Sequence, residues 1–201
     1  MKHIAVYRAA CIVEDAESLR QQFEDFSGPP VDFERVEQKY RYVPESKVGN
    51  MNFAVQVVEF SLLHELGEAQ STVRYLGSKI SGGITAVEVS ASPKVRSFFQ
   101  LAGFAVHADH VAVGWRFQTR LGVTVEIYTP CNVVIDEETL YLADKLTWTK
   151  SGEILPSKQL LCELIVKCDP ADLPKRKAVL ESLFADLIKP YALTDLSVIE
   201  L

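Results

Sequence analysis

The sequence predicts an α+β protein dominated by β-structure: a closed antiparallel β-barrel flanked by about three helices, with residues 1-201 as one domain. Three observations predict this class. Segments of alternating apolar and polar residues, rich in β-branched and aromatic side chains, recur along most of the chain. Turn residues separate them at Gly67, Gly77, Gly82-Gly83 and Gly122, and strands joined by tight turns pair antiparallel. Only three stretches carry helical spacing with start and stop signals. Eight or so strands of this kind remove their exposed edges by closing on themselves.

The elements follow in order. His3 to Ile12 alternates and reads as a strand. Glu14 to Phe26 reads as a helix, with Leu19, Phe23 and Phe26 at helical spacing and acids in its first turn. Gly28-Pro29-Pro30 ends it, because proline lacks the amide proton a helix needs. Val31 to Val43 mixes polar and aromatic residues and holds a further strand. Strands are expected at Phe53 to Leu63, Ser71 to Leu76, Ile84 to Ser90, His110 to Thr119 and Val123 to Thr129. A short helix interrupts the series. Ser92 suits its N-cap and Pro93 its first position. Val95, Phe98, Phe99 and Ala102 make its apolar face, and Gly103 its C-terminal cap. Pro130 to Lys158 is the least regular stretch and reads either as a strand pair or as a docking surface. Leu160 to Cys168 is another strand. The last helix starts near Pro174, repeats Val179, Leu180, Leu183, Phe184, Leu187 and Ile188, and stops at Pro190.

Composition narrows the function. Hydrophobic residues make up 48% and charged residues 24%, and the formal net charge is -6. A basic face supplies most of the affinity in free nucleic-acid binding, so this balance argues against it and against docking on an anionic membrane. The opening residues lack the features of an export signal, and no apolar run reaches the length of a membrane span. Cys11, Cys131, Cys162 and Cys168 form no Cys-x-x-Cys pair, and buried reduced thiols are expected.

The strands also carry charge in a pattern. Arg74, Glu88, Arg116, Glu126, Glu163 and Lys167 each sit on one face of a strand whose other face is mainly apolar. The simpler reading is an apolar barrel interior with the charges in solvent. The sharper reading is a polar tunnel, in which Arg74, Arg116 and Lys167 bind a triphosphate and Glu88, Glu126 and Glu163 hold a metal. Metal-dependent tunnel enzymes carry Glu-x-Glu-x-Lys in an early strand. Here the first strand has no acid, and the same-face pair Asp32 and Glu34 is followed by Val36. His107-Ala108-Asp109-His110 looks metal-like but reads as a polar bend. There is no phosphate loop and no nucleophile elbow. Lys175-Arg176-Lys177 opens an amphipathic helix and reads as a solvated face. No catalytic, cofactor-binding or metal residue is assigned, no cofactor is expected, and the chain is expected not to be an enzyme.

Two stretches together resemble the Mediator subunit 18 family. One is Val73-Arg74-Tyr75-Leu76-Gly77. The other runs from Phe98-Phe99 and Leu101 through Gly103-Phe104, Asp109-His110, Val111, Gly114 and Phe117 to the strand Val123 to Tyr128. The terminal helix with Leu180, Leu183, Phe184, Leu187 and Pro190 matches in place and character, and Pro130 to Lys158 departs most. The resemblance implies a barrel distantly similar to the triphosphate tunnel enzymes. It implies a non-catalytic coactivator subunit of the Mediator head module in the nucleus, acting in regulated RNA polymerase II transcription. The implied partners are Mediator subunit 20, the C-terminal helix of subunit 8, other head-module subunits, and RNA polymerase II with its initiation factors. No sequence-specific nucleic-acid contact is implied. Tyr141 and Trp148 are candidates for a docking surface, or for the chain's own core. The alternative is a metal-dependent triphosphate tunnel phosphohydrolase.

Overall fold

A computed structural model describes residues 4–42, 58–80, 83–136 and 146–198. Among these, ten strands form one sheet: β1 (Ile4–Val13), β2 (Val31–Tyr42), β3 (Val58–Glu65), β4 (Ser71–Ile80), β5 (Gly83–Ala91), β6 (Ala105–Gln118), β7 (Thr124–Asp136), β8 (Thr147–Glu153), β9 (Leu160–Cys168) and β10 (Ser197–Val198). The helices are α1 (Ala16–Ser27), α2 (Val95–Leu101) and α3 (Leu173–Leu183). The end of α3 runs on through a wider turn, Phe184–Ile188, and a tight one, Lys189–Tyr191.

The pairing path is β1-β5-β4-β3-β2-β6-β7, and β9 pairs with both β7 and β1. The expected closed barrel is met only in part. β1 meets β5 over three residue pairs, Ile4↔Ala86 to Val6↔Ile84, against nine along β1–β9. β10 takes a further part of that edge, at Ala9↔Val198 and Ala10↔Ser197. The sheet is thus an antiparallel, curled half-barrel trough, and β10 is an element that the sequence pattern did not indicate.

Local chemistry explains the helices. Asp15 accepts from the Ser18 N–H at the start of α1, and Gly28 at φ 94° closes it by donating to the Glu24 carbonyl. Leu19 and Phe23 are buried, whereas Phe26 stays exposed. α2 begins two residues after the expected first position. Ser92 accepts from the Lys94 N–H and caps the preceding turn, and Gly103 at φ 87° ends the helix.

The largest core lies between the sheet and the two longer helices. Ala5, Tyr7, Ala9, Cys11 and Val13 of β1 pack with Val125 and Ile127 of β7 and with Cys162, Leu164 and Val166 of β9. Leu19 and Phe23 of α1 and Leu173, Leu180 and Leu183 of α3 cover them. A second apolar cluster, Tyr40, Phe60 and Leu62, is covered by Val95 and Phe99 of α2. The Phe60 and Phe99 rings meet at a tilt of 51° with centroids 4.1 Å apart, and Tyr40 stacks on Phe60 at 5.2 Å.

Two open readings are decided here, and one expectation changes. Pro130 to Lys158 holds a strand pair, since β7 runs on to Asp136 and β8 pairs with it from Cys131↔Glu153 to Asp136↔Thr147. Trp148 belongs to the chain's own packing. It sits with Val133 and Ile135 against Val36, Val111 and Cys131, and its indole N–H donates to Glu34 at 2.6 Å. Ala108, Asp109 and His110 lie inside β6, not in a bend, because β6 pairs with β2 from Val31↔Arg116 through Arg41↔Ala105. Tyr141, Phe53 and the Ser81-Gly82 turn lie outside the described residues.

Candidate functional site

Each strand has two faces, and the helices decide which one turns inward. Because α1 and α3 cover the apolar faces of β1, β7 and β9, the opposite faces of those strands line the trough. Those faces carry Arg8, Glu126, Glu163 and Lys167. The simpler expectation, charges in solvent around an apolar interior, is therefore reversed. The apolar surface lies beneath helices, and the concave side is polar.

Curvature is visible in four of the ion contacts, Arg8–Glu37, Arg35–Glu126, Arg116–Glu65 and Lys167–Glu88, which link strands that are not ladder neighbours. Arg8 of β1 reaches Glu37 of β2 at 3.7 Å and clasps Glu163 of β9 through two of its nitrogens. Arg35 of β2 grips Glu126 of β7 with two hydrogen bonds of 2.9 Å. Arg116 of β6 donates to Glu126 at 2.8 Å and spans to Glu65 of β3 at 2.6 and 3.2 Å. Lys167 of β9 binds both oxygens of Glu88 on β5, at 2.9 and 2.8 Å, and Arg74 donates to the same carboxylate at 2.8 Å. Tyr128 adds an O–H bond of 3.1 Å to Glu163. Arg8 is 5% exposed, Glu126 2% and Glu163 not at all. Five cationic side chains and five carboxylates thus neutralise one another within the trough. Bidentate, charge-assisted pairs of this kind are the strong form of the interaction.

The electrostatics follow from this pairing. Burial alone would push the Glu126 carboxyl up, but the Arg35 and Arg116 guanidiniums overcome it and hold the group below its ordinary value of 4.5. Glu37, beside Arg8 and Arg35, and Glu88, beside Lys167 and Arg74, are held down in the same way against burial. Burial would lower Arg8 and Arg35, and their carboxylates raise them instead. Two histidines behave oppositely. Burial lowers His64 and His110 below 6.5 despite nearby acids, so both are favoured in the neutral form.

A two-stage pH response is expected. A depressed histidine contributes stability above the unfolded value of 6.5 that is lost as pH falls toward the folded one. A depressed carboxyl contributes stability above 4.5 that is lost as pH falls through its folded value. Urea midpoints measured from pH 8 to pH 3 should decline shallowly below about 6.5 and steeply below about 4.5. A profile that stays level to pH 3 contradicts the buried pairing.

The mouth of the trough is a cleft of about 500 Å³. Of the six side chains singled out from the sequence, Arg74, Glu88, Arg116, Glu126 and Lys167 line it. Glu163 does not and lies deeper, against Arg8 and Tyr128. Arg35 and Glu65 join this lining, and Arg8 and Glu37 belong to the same ion-pair network outside it; none of the four was singled out. Their signal was present in the alternation: Arg8 is a lone charge in an apolar strand, and Arg35 and Glu37 share one face of β2. Asp32 is exposed, while Glu34 turns to Trp148 and Lys150. Among the described residues no group of three or more His, Cys, Asp and Glu side chains is placed to hold a metal ion. Lys177 lies over the Tyr7 ring and Arg176 donates to the Leu121 carbonyl, so two members of the basic run pack on their own fold.

Fold and lining together define a helix-backed, curled antiparallel sheet with a polar trough. No protein-family model matches the sequence, and no curated relative matches it. Solved structures do. A chain of the Schizosaccharomyces pombe Mediator head module superposes with a TM-score of 0.63 at 13% identity, covering 96% of this chain and 97% of that one. A protein of Pyrococcus horikoshii OT3 reaches 0.57 at 14% identity, covering 95% and 93%. A chain of Vibrio parahaemolyticus named as a candidate adenylate cyclase reaches 0.54 at 8% identity, covering 94% of each. At these identities the likeness establishes the fold alone.

Proposed function

We propose that this chain is a non-catalytic protein-interaction subunit of the Mediator head module, acting in the nucleus in RNA polymerase II transcription. In this reading it pairs with Mediator subunit 20 and takes up the C-terminal helix of subunit 8. The observation that carries the non-catalytic part is the state of the trough carboxylates. Glu88, Glu126 and Glu163 each accept from at least two protein donors, so a metal would have to displace guanidinium or ammonium groups to reach them. The likeness in fold to the head-module chain supports the assignment to Mediator. Exposed apolar side chains support a docking role. Leu101 and Phe98 of α2 are 90% and 63% exposed, and Tyr75 and Val89 on the neighbouring hairpin are also uncovered.

A second reading, a metal-dependent triphosphate phosphohydrolase, draws support from the convergence of Arg74, Arg116 and Lys167 with Glu88 and Glu126 in one cleft. The test separates the two. The purified chain, incubated with a nucleoside triphosphate and manganese, is expected to release no phosphate above a protein-free blank. It is expected to remain soluble and monodisperse only when co-expressed with a subunit 20 partner. Sustained turnover that Glu126→Gln abolishes, in a variant that still folds, overturns the interaction reading.

A further inference from the structure

A second cleft, of about 640 Å³, opens beside the start of β2. β2 pairs with β6 from Val31 onward, but with β3 only from Arg35↔Glu65. Beyond Glu65 the chain turns away, its last tie being the Leu66 N–H to the Glu34 carbonyl at 2.8 Å. Residues 31–33 therefore form a short edge with no strand on the β3 side among the described residues. Unpaired edges of this kind are templates for an added extended segment.

The walls of this cleft are apolar and its charge is of one sign. Val31 and Leu66 stand 63% and 57% exposed at the rim, with Trp115 and Leu160 in the walls. The charged residues lining it are Asp32, Glu34, Glu65 and Glu68, with no lysine, arginine or histidine among them. Glu34 is held by Lys150 and Glu65 by Arg116. Asp32 and Glu68 form no ion pair among the described residues, and both are exposed. The trough mouth differs, since each of its acids except Glu68 has a cationic partner. The occupant that complements this surface is apolar and positively charged.

We propose that this cleft receives an extended segment of a partner protein. Aliphatic side chains of the segment meet Val31, Leu66 and Trp115, and its lysines or arginines face Asp32 and Glu68. The inference rests on the reading of the chain as an interaction subunit and specifies the chemistry of one of its contacts.

The probe is a short fluorescent peptide alternating lysine with valine, compared with one alternating glutamate with valine. Anisotropy is measured on the full chain in complex with its co-expressed partner. The lysine peptide should bind and weaken as salt rises, and the glutamate peptide should not bind. Asp32→Lys with Glu68→Lys should weaken the lysine peptide by at least about tenfold, a change of about 1.4 kcal/mol. Val31→Asp should also weaken it. Glu14→Lys with Glu17→Lys, an equal charge change on another exposed face, should leave binding within about twofold. Amide resonances of residues 31–34 and 66–68 should shift most on titration.

Equal loss in both double variants means general attraction to an acidic chain and overturns the proposal. So does a shift map centred elsewhere. If the Asp32→Lys/Glu68→Lys chain loses self-association in sedimentation, the occupant is a second copy and the proposal is again overturned. Failure here with co-purification of the Mediator partner intact removes only this inference. Loss of co-purification in the unmodified chain removes the functional reading itself.

Discussion

Replacing Glu163 by alanine is expected to destabilise the protein by about 3–5 kcal/mol. Glu163 is fully buried and accepts from Arg8 and Tyr128. Without it the buried Arg8 guanidinium keeps Glu37, at 3.7 Å, as its one remaining ion-pair partner among the described residues. Desolvation of an unpaired cation is the dominant cost, well above the loss of the hydrogen bonds alone. Urea unfolding followed by tryptophan fluorescence gives the size of the effect. Arg8→Met combined with Glu163→Leu should recover most of the loss, since a buried pair exchanged for apolar groups is often neutral. A Glu163→Ala midpoint equal to the parent's means that the pair is not buried.

The second large effect is expected at Gly114. A Cβ there would lie 2.0 Å from the Ile127 carbonyl oxygen and 2.6 Å from the Tyr128 Cα, both backbone atoms. Neither can rotate away, so β6 and β7 must separate. Gly114→Ala should therefore reach or exceed the top of the ~1–3 kcal/mol range for overpacked interiors, and Gly114→Val should exceed it further. The strain falls beside Phe33, Ala112 and Tyr128, which form one small cluster on the trough side. Circular dichroism should show lost strand signal, and the urea midpoint should fall. A Gly114→Ala protein as stable as the parent contradicts the register Gly114↔Tyr128.

The two effects meet at one place. Tyr128 faces Gly114 across the β6–β7 ladder and bonds Glu163 on its other neighbour, β9. A Cβ at Gly114 would press on the Cα and Cβ of Tyr128, the residue whose phenol holds Glu163. Packing at Gly114 and the ion pair at Arg8 are therefore expected to be coupled, and a double-mutant cycle would measure that coupling.

The sequence by itself determined the local structure: most strands, the three helices, the glycines that end α1 and α2, and the strand faces on which Arg74, Glu88, Arg116, Glu126, Glu163 and Lys167 lie. These are short-range matters of alternation, capping and proline geometry, written within a few residues of where they act. Only the tertiary structure decided which face of each strand turned inward. A period of two marks two faces but does not distinguish concave from convex. That choice depends on where Leu19, Phe23, Leu180 and Leu183 come to rest, far along the chain. The same non-local packing made the trough hospitable to charge, because Arg8 meets Glu37, and Arg35 meets Glu126, only when the sheet curls. It also left β1 only three residues to share with β5, which is why the barrel expected from the alternation remains a trough.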